Sequence, residues 1–140
     1  MADFVAPTAR AVFLCGHVAD AGSGNVHMGW VFDTIRPASY PHAQDDICVV
    51  LQLSDGSGEV PVSVNVVFWP EGEAEPEDIL QSGSTGVRFT DRIELHRVVL
   101  RLSDCVFPQV GLYVIEVYCG EEWVADAPLR VKELLEDSES

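Results

Sequence analysis

Two histidines, His17 and His27, come nearest to the spacing of a metal site. The β-rich segments on either side of a Gly/Ser-rich turn predict a β-hairpin. If the turn is centred on Gly22, the two histidines lie opposite each other on the polar face. Zinc sites normally take three or four ligands, and Asp20 and Asp33 are the only candidates nearby in the sequence. We adopt the simpler interpretation of two solvated surface histidines, so no metal ligand is assigned.

Aspartates in the predicted turns raise a second metal hypothesis. Asp20, Asp55 and the pair Asp45 and Asp46 could form a calcium site at the rim of a β-sandwich. However, no segment has the spacing of an EF-hand loop. Because Asp, Ser and Gly favour turns in any case, we interpret these aspartates as solvated turn residues.

The sequence contains few features that would indicate nucleophilic catalysis. The Gly-x-Ser-x-Gly, His-Glu-x-x-His, P-loop and Gly-x-Gly-x-x-Gly motifs are all missing. Cys15 and Cys48 are predicted on outward faces, where they could be exposed, but neither has a neighbouring base. We therefore assign no catalytic residue and no cofactor, and expect the protein not to be an enzyme.

Val67 and Trp69 are the candidates for binding a partner. Both are predicted to face outwards at the end of an apolar strand, before an acidic loop at 70–78. An exposed tryptophan beside an apolar residue can anchor a protein partner. The alternative is that Trp69 packs beneath the segment 70–86.

The candidate residues named above lie in or beside short β-rich segments, which are separated by clusters of Gly, Pro, Asp and Ser. This pattern is typical of an all-β sandwich or barrel. Strands are expected at Ala11–Val18, Asn25–Ile35, Asp46–Leu53, Val60–Trp69, Arg92–Leu102, Gly111–Cys119 and Trp123–Val131. Within the fifth strand the apolar positions change from odd-numbered to even-numbered residues. This change predicts a β-bulge near His96–Arg97, with a short helix as the alternative.

The first hairpin has a self-consistent register. Even-numbered residues form its apolar face, which we expect to be buried. The predicted facing pairs are Val18 with Val26, Gly16 with Met28, Leu14 with Trp30, and Val12 with Phe32. In the third strand Ile47, Val49, Leu51 and Leu53 should point inwards, and in the fourth Val60, Val62, Val64, Val66 and Phe68.

Together these elements predict one domain over residues 1–132, a seven-stranded immunoglobulin-like antiparallel sandwich. A chain of 140 residues can bury a sufficient core without a disulfide or a metal. The Gly/Ser-rich segment Gln81–Gly86 is expected to be mobile, and the acidic tail at 133–140 to be disordered.

Charge and the amino terminus restrict partners and location. The net charge of −15 opposes binding to nucleic acid and to anionic membranes, both of which need clustered Lys or Arg. Residues 1–9 hold Asp3 and no basic residue, which is unlike a secretory signal. We therefore expect a cytoplasmic protein whose four cysteines are reduced thiols.

Two segments carry a resemblance to known proteins. The stretch Leu102–Tyr113, with Gly111-Leu-Tyr113, resembles the corner before the sixth strand of immunoglobulin-like domains, which implies that the Tyr113 hydroxyl bonds to backbone within Asp104–Gln109. The cysteine pair of antibody domains is missing. The steps Gly29-Trp-Val-Phe-Asp33, Phe107–Tyr113 and Pro128-Leu-Arg-Val131 are similar to a family of small bacterial β-sandwich proteins of unknown function.

The resemblance brings no activity with it. The favoured function is a non-enzymatic protein-interaction or scaffolding module that binds an unknown protein partner, with homo-oligomerisation left open. The alternative is an acidic decoy or inhibitor that binds a basic surface of a partner. A metal-dependent enzyme built on His17 and His27 is the third hypothesis.

Overall fold

A computed structural model of the chain describes residues 4–22, 25–70 and 79–134. These residues form β-strands, turns and loops, and none of them is helical. The strands are β1 (Thr8–Gly22), β2 (Asn25–Val31), β3 (Thr34–Ile35), β4 (His42–Ser54), β5 (Gly58–Trp69), β6 (Ile79–Phe89), β7 (His96–Phe107), β8 (Gly111–Cys119) and β9 (Glu122–Val131).

The strands form two sheets that enclose one main core. The first sheet has the order β2-β1-β4-β7, and the second has the order β3-β9-β8-β5-β6. All pairings are antiparallel except that of β3 with β9, which is parallel. The predicted all-β sandwich is confirmed. The predicted count of seven strands is wrong, since the described residues form nine.

The alternating valines, leucines and isoleucines of β4 and β5 build the interior of the sandwich. Every second side chain of a strand points to the same face, so a strand with one buried face alternates apolar and polar residues. The inward residues predicted for these strands are confirmed as buried: Ile47, Val49, Leu51, Leu53, Val60, Val62, Val64, Val66 and Phe68.

The first hairpin forms, but its predicted register is wrong by two residues. Val18 lies opposite Met28, and His17 lies opposite Gly29. The strands extend to Gly22 and Asn25, so the turn is shorter than expected and centred further along the chain. The apolar residues also divide between two clusters.

Those two clusters lie on opposite faces of the first sheet. Leu14 belongs to the main core, and Val12 and Phe32 pack against it. In contrast, Val18 and Met28 pack on a second cluster, formed by buried residues of β1 and β4 on the outer face. The predicted single apolar face of the hairpin is therefore also wrong.

Two further predictions fail around β6 and β7. The segment Gln81–Gly86, expected to be a mobile stretch between strands, lies within β6, because its backbone pairs with residues 61–66 of β5. The predicted fifth strand begins only at His96, and Ile93 before it is 84% exposed. The change in which positions are apolar is thus due to a turn before the strand, and not to a β-bulge.

Tyr113 makes the contact that was expected of it. Its side chain is fully buried, and its hydroxyl donates a hydrogen bond of 2.7 Å to the carbonyl of Gln109. The ring packs against Phe107 edge to face, with centroids 4.9 Å apart, and against Phe68 at 4.8 Å. The predicted bond to the Asp104–Gln109 stretch is confirmed, and it closes the corner between β7 and β8.

No helix among the residues that the structure describes is long and apolar enough to cross a membrane. Of the acidic loop predicted at 70–78, residues 71–78 lie outside the described residues. So does most of the tail predicted at 133–140, of which only Glu133 and Leu134 are described.

Candidate functional site

A cleft of about 400 Å³ opens at one side of the sandwich, where β1 of the first sheet approaches β9 of the second. Its lining is mostly apolar: Val12, Phe13, Leu14, Val31, Phe32, Asp33, Ala127 and Pro128. Leu14 is buried, Val12 and Phe32 are half-buried, and Val31 and Asp33 are exposed. Asp33 is the one charged side chain among these lining residues.

The cleft exists because two strands have open edges there. β2 pairs with β1 only from Cys15 to Gly22, while β4 pairs with β1 from Thr8 to Cys15. Among the described residues, no strand pairs with Thr8–Phe13 on the side away from β4. In the second sheet β3 pairs with β9 only at Arg130 and Val131. An open edge presents backbone groups that can pair with another strand.

The segment Val31–Asp33 crosses from one sheet to the other and forms one wall of the cleft. The amide of Phe32 donates a hydrogen bond of 3.0 Å to the carbonyl of Leu14 in the first sheet. One residue later, the carbonyl of Asp33 accepts a bond of 2.9 Å from the amide of Arg130 in the second. This wall is therefore tied to both sheets by backbone hydrogen bonds.

Trp30, immediately before this wall, is the most unusual residue of the region. Its φ angle is +60°, which is uncommon for a residue other than glycine, and its side chain is 85% exposed. Such a conformation costs of order 1–3 kcal/mol, and residues that keep one cluster at binding and active sites. An exposed indole gains no burial to offset that cost, so Trp30 is the strongest candidate for contacting a partner.

The sequence prediction missed Trp30 because of its backbone conformation. The sequence predicted that Trp30 continues the alternation of Val26 and Met28 and lies with them on one buried face. The positive φ angle interrupts this alternation, and the register places Gly16 next to it on β1. The motif Gly29–Asp33 carries part of the family resemblance, but no sequence pattern indicates that its tryptophan is exposed.

His17 and His27 are not brought together as predicted. His17 lies opposite Gly29, and His27 lies opposite Ala19, so the histidines are diagonal neighbours. Diagonal neighbours on a sheet are separated by about 7–8 Å, compared with about 5 Å for a facing pair. Within the described parts of the chain, no three His, Cys, Asp or Glu side chains are grouped as metal ligands would be.

Several of the predicted turn aspartates are engaged in local contacts. Asp20 accepts a hydrogen bond of 2.7 Å from the amide of Gly22, and Asp55 forms an ion pair with Arg10. Asp46 accepts a bond of 3.2 Å from the hydroxyl of Ser103. Asp55 lies between β4 and β5, as interpreted, whereas Asp20 lies in β1 and Asp46 in β4, so their assignment to turns is wrong.

Val67 and Trp69 lie together on the outer face of the second sheet, as the sequence predicted. Trp69 is half-buried, but Val67 is only 2% exposed, so the expected exposure of Val67 is wrong. Val67 lies between its register partners Ile79 and Val114 on the neighbouring strands. Their assignment to a partner-binding surface stays a prediction.

All four cysteines are free thiols and all are buried. Cys15 and Cys48 lie on the outer face as predicted, but their expected exposure is wrong because Phe13, Val18 and Met28 pack over that cluster. Cys105 and Cys119 lie in the main core, where burial raises the pKa of each to about 11.

The fold and this cleft define the class: a small two-sheet β-sandwich with an apolar cleft between two open strand edges. Residues 10–132 match a family model described as a family of unknown function, DUF6941, and the chain belongs to that family. No curated protein matches the chain. The matched range includes every residue that lines the cleft.

Proposed function

We propose that this protein is a non-enzymatic protein-interaction module that binds an extended segment of a partner in the cleft between β1 and β9. The observation that carries the proposal is Trp30, a strained and almost fully exposed tryptophan beside that cleft. Tryptophans are enriched among the residues that contribute most to binding energy in protein interfaces.

The open edge of β1 supports an extended partner in particular. A peptide strand that pairs with Thr8–Phe13 would gain main-chain hydrogen bonds, as in other cases of β-strand addition. One of its apolar side chains would then enter the cleft above Leu14 and Phe32. In this arrangement backbone pairing supplies affinity, and the cleft supplies specificity for the side chain.

Charge supports a partner segment with a basic residue. Asp33 is the charged residue of the cleft lining, and the whole chain carries a net charge of −15. Opposite charge on the partner would speed association and favour one orientation of the bound strand. The same charge opposes pairing of this edge with the edge of a second copy.

The corner closed by Tyr113 supports a second, structural part of the proposal, that this sandwich is immunoglobulin-like. In antibody variable domains the loops at one end of such a sandwich form the binding site.

The test is a pull-down from native cells with four baits: the wild-type protein, Trp30→Ala, Trp69→Ala and Trp123→Ala. Trp123 is a matched control, since it is about half exposed but lies on the outer face of the second sheet. Calorimetry with the purified partner then gives the affinities. We expect Trp30→Ala to weaken binding by at least about thirtyfold, the loss of about 2 kcal/mol typical of a dominant interface residue.

The controls decide where the interface lies. Trp69→Ala and Trp123→Ala should bind within about twofold of the wild-type protein. If Trp69→Ala loses the partner and Trp30→Ala retains it, the cleft is not the binding site and the surface of Val67 and Trp69 is. If the only protein captured is the chain itself, the module is a homo-oligomer.

A further inference from the structure

Cys15 and Cys48 face each other across the first sheet. They are directly opposite in the pairing of β1 with β4, and both are fully buried. With Val50 they form the second apolar cluster, on the outer face of the sheet. The two thiols are in hydrogen-bonding contact.

The backbone places this pair at a distance that a disulfide can span. The carbonyl of Leu14 bonds to Phe32 on the β2 side, so the next residue, Cys15, turns its backbone groups towards β4. Facing residues of this hydrogen-bonded kind have Cα atoms about 5.5 Å apart. Disulfides join Cα atoms that are about 4.4–6.8 Å apart, so the two strands need not separate.

Arg101 distinguishes the two thiols from each other. It is the register partner of Cys48 on β7, and its guanidinium forms a hydrogen bond with the Cys48 thiol. A neighbouring cation stabilises a thiolate, which is the reactive form of cysteine. Burial, together with the neighbouring Cys48, raises the pKa of the Cys15 thiol. The contact with Arg101 therefore assigns the first attack to Cys48.

We propose that Cys15 and Cys48 form a reversible thiol–disulfide site whose oxidant is a small hydroperoxide. The Cys48 thiolate attacks an oxygen of the hydroperoxide, the O–O bond breaks, and Cys48 becomes a sulfenic acid. The leaving oxygen takes up a proton and departs as water, or as an alcohol when the oxidant is an organic hydroperoxide. The Cys15 thiol then attacks the Cys48 sulfur, and water leaves. Two thiols are oxidised and one peroxide is reduced, with the Cys15–Cys48 disulfide as product.

The site lies beside the cleft but is independent of the proposed function. Cys15 is also the register partner of Val31, which lines the cleft. A disulfide would tie β1 to β4 behind the open edge. The chemistry itself needs no partner, so its test does not depend on partner binding.

The experiment exposes the folded wild-type protein to hydrogen peroxide, removes the peroxide, and alkylates all free thiols in denaturant without a reductant. Mass spectrometry should show alkylated thiols falling from four to two, and digestion should yield one cross-linked peptide joining Cys15 to Cys48. Dithiothreitol should restore all four thiols.

Variants test the assignment of the residues. The double variant Cys105→Ala and Cys119→Ala should form the same cross-link at the wild-type rate. Arg101→Gln should form it at least about fivefold more slowly, because it removes the charge that favours the thiolate. An unchanged rate in Arg101→Gln would overturn the role of Arg101.

The wild-type protein alone can refute the site. Four alkylated thiols after peroxide treatment, a cross-link to Cys105 or Cys119, or a product that dithiothreitol does not reduce would each overturn the proposal.

Discussion

Removing the hydroxyl of Tyr113 tests the corner between β7 and β8. Tyr113→Phe keeps the ring against Phe68 and Phe107 but deletes the donor of the 2.7 Å bond to the carbonyl of Gln109. A buried acceptor left without its partner costs about 1–3 kcal/mol. Gln109 is exposed, so water can partly replace the lost donor, and the expected cost is the lower part of that range, about 1–2 kcal/mol.

Urea denaturation followed by tryptophan fluorescence measures this cost. The midpoint should fall while the slope with urea stays unchanged, since the surface exposed on unfolding is the same. The melting temperature should fall by about 3–8 °C for a chain of this length. Tyr113→Ala should cost more, about 3–5 kcal/mol, because it also leaves a cavity between the two phenylalanine rings.

Tyr118→Phe provides the matched control for the same chemical change. The Tyr118 hydroxyl lies on the outer face of the second sheet, and it donates a long bond of 3.4 Å to Glu116. Its removal should cost less than about 0.5 kcal/mol, as for most surface substitutions. A Tyr113→Phe variant as stable as this control would refute the contribution assigned to the corner.

Three further predictions concern backbone, pH and partners. Gly111→Ala should destabilise the protein by more than about 2 kcal/mol in the same assay, since φ is +147° and the added Cβ would lie 2.6 Å from Phe68; a neutral result would contradict the packing. Burial raises the pKa of Cys105 and Cys119 to about 11 in the folded state, against 9.0 for a free thiol. Because the thiols of the unfolded chain ionise first, the free energy of unfolding should fall as the pH rises from about 9 to about 11. That fall should be shallower when both cysteines are alanine, and an equally steep fall would assign it to other groups. Fluorescence anisotropy at physiological salt should detect no submicromolar binding to DNA or RNA, given the net charge of −15; tight binding would refute the electrostatic argument.

The sequence predicted those strands in which the alternation of the strand's own residues determines which side chains are buried. The odd-numbered residues from Ile47 to Leu53 in β4 and the even-numbered residues from Val60 to Phe68 in β5 are all apolar, and this period of two assigns each set to one face. The bond of Tyr113 was expected from the resemblance of Leu102–Tyr113 to an immunoglobulin-like corner, and it forms between residues only four apart in the chain. In contrast, β6 has few apolar residues, and it is a strand only because β5 pairs with its backbone.

The cleft depended on information that no local pattern contains. Its residues come from β1, the crossing segment and β9, which approach each other only when the two sheets pack. The conformation of Trp30 and the two-residue shift of the hairpin likewise follow from how the turn and the crossing fit both sheets. A period of two determines which residues share a face, but it is unchanged when the register shifts by two residues.

The sequence by itself therefore determined an acidic all-β chain with two strongly patterned central strands and a tyrosine bonded to its own corner. Only the tertiary structure decided which strand edges stay open, that Trp30 points to solvent, and that Cys15 and Cys48 are partners. The physical reason is the distance along the chain over which each kind of interaction acts. Alternation and short turns act between residues near in the chain, whereas edges, clefts and cross-strand pairs depend on which distant segments the packing of two sheets brings together.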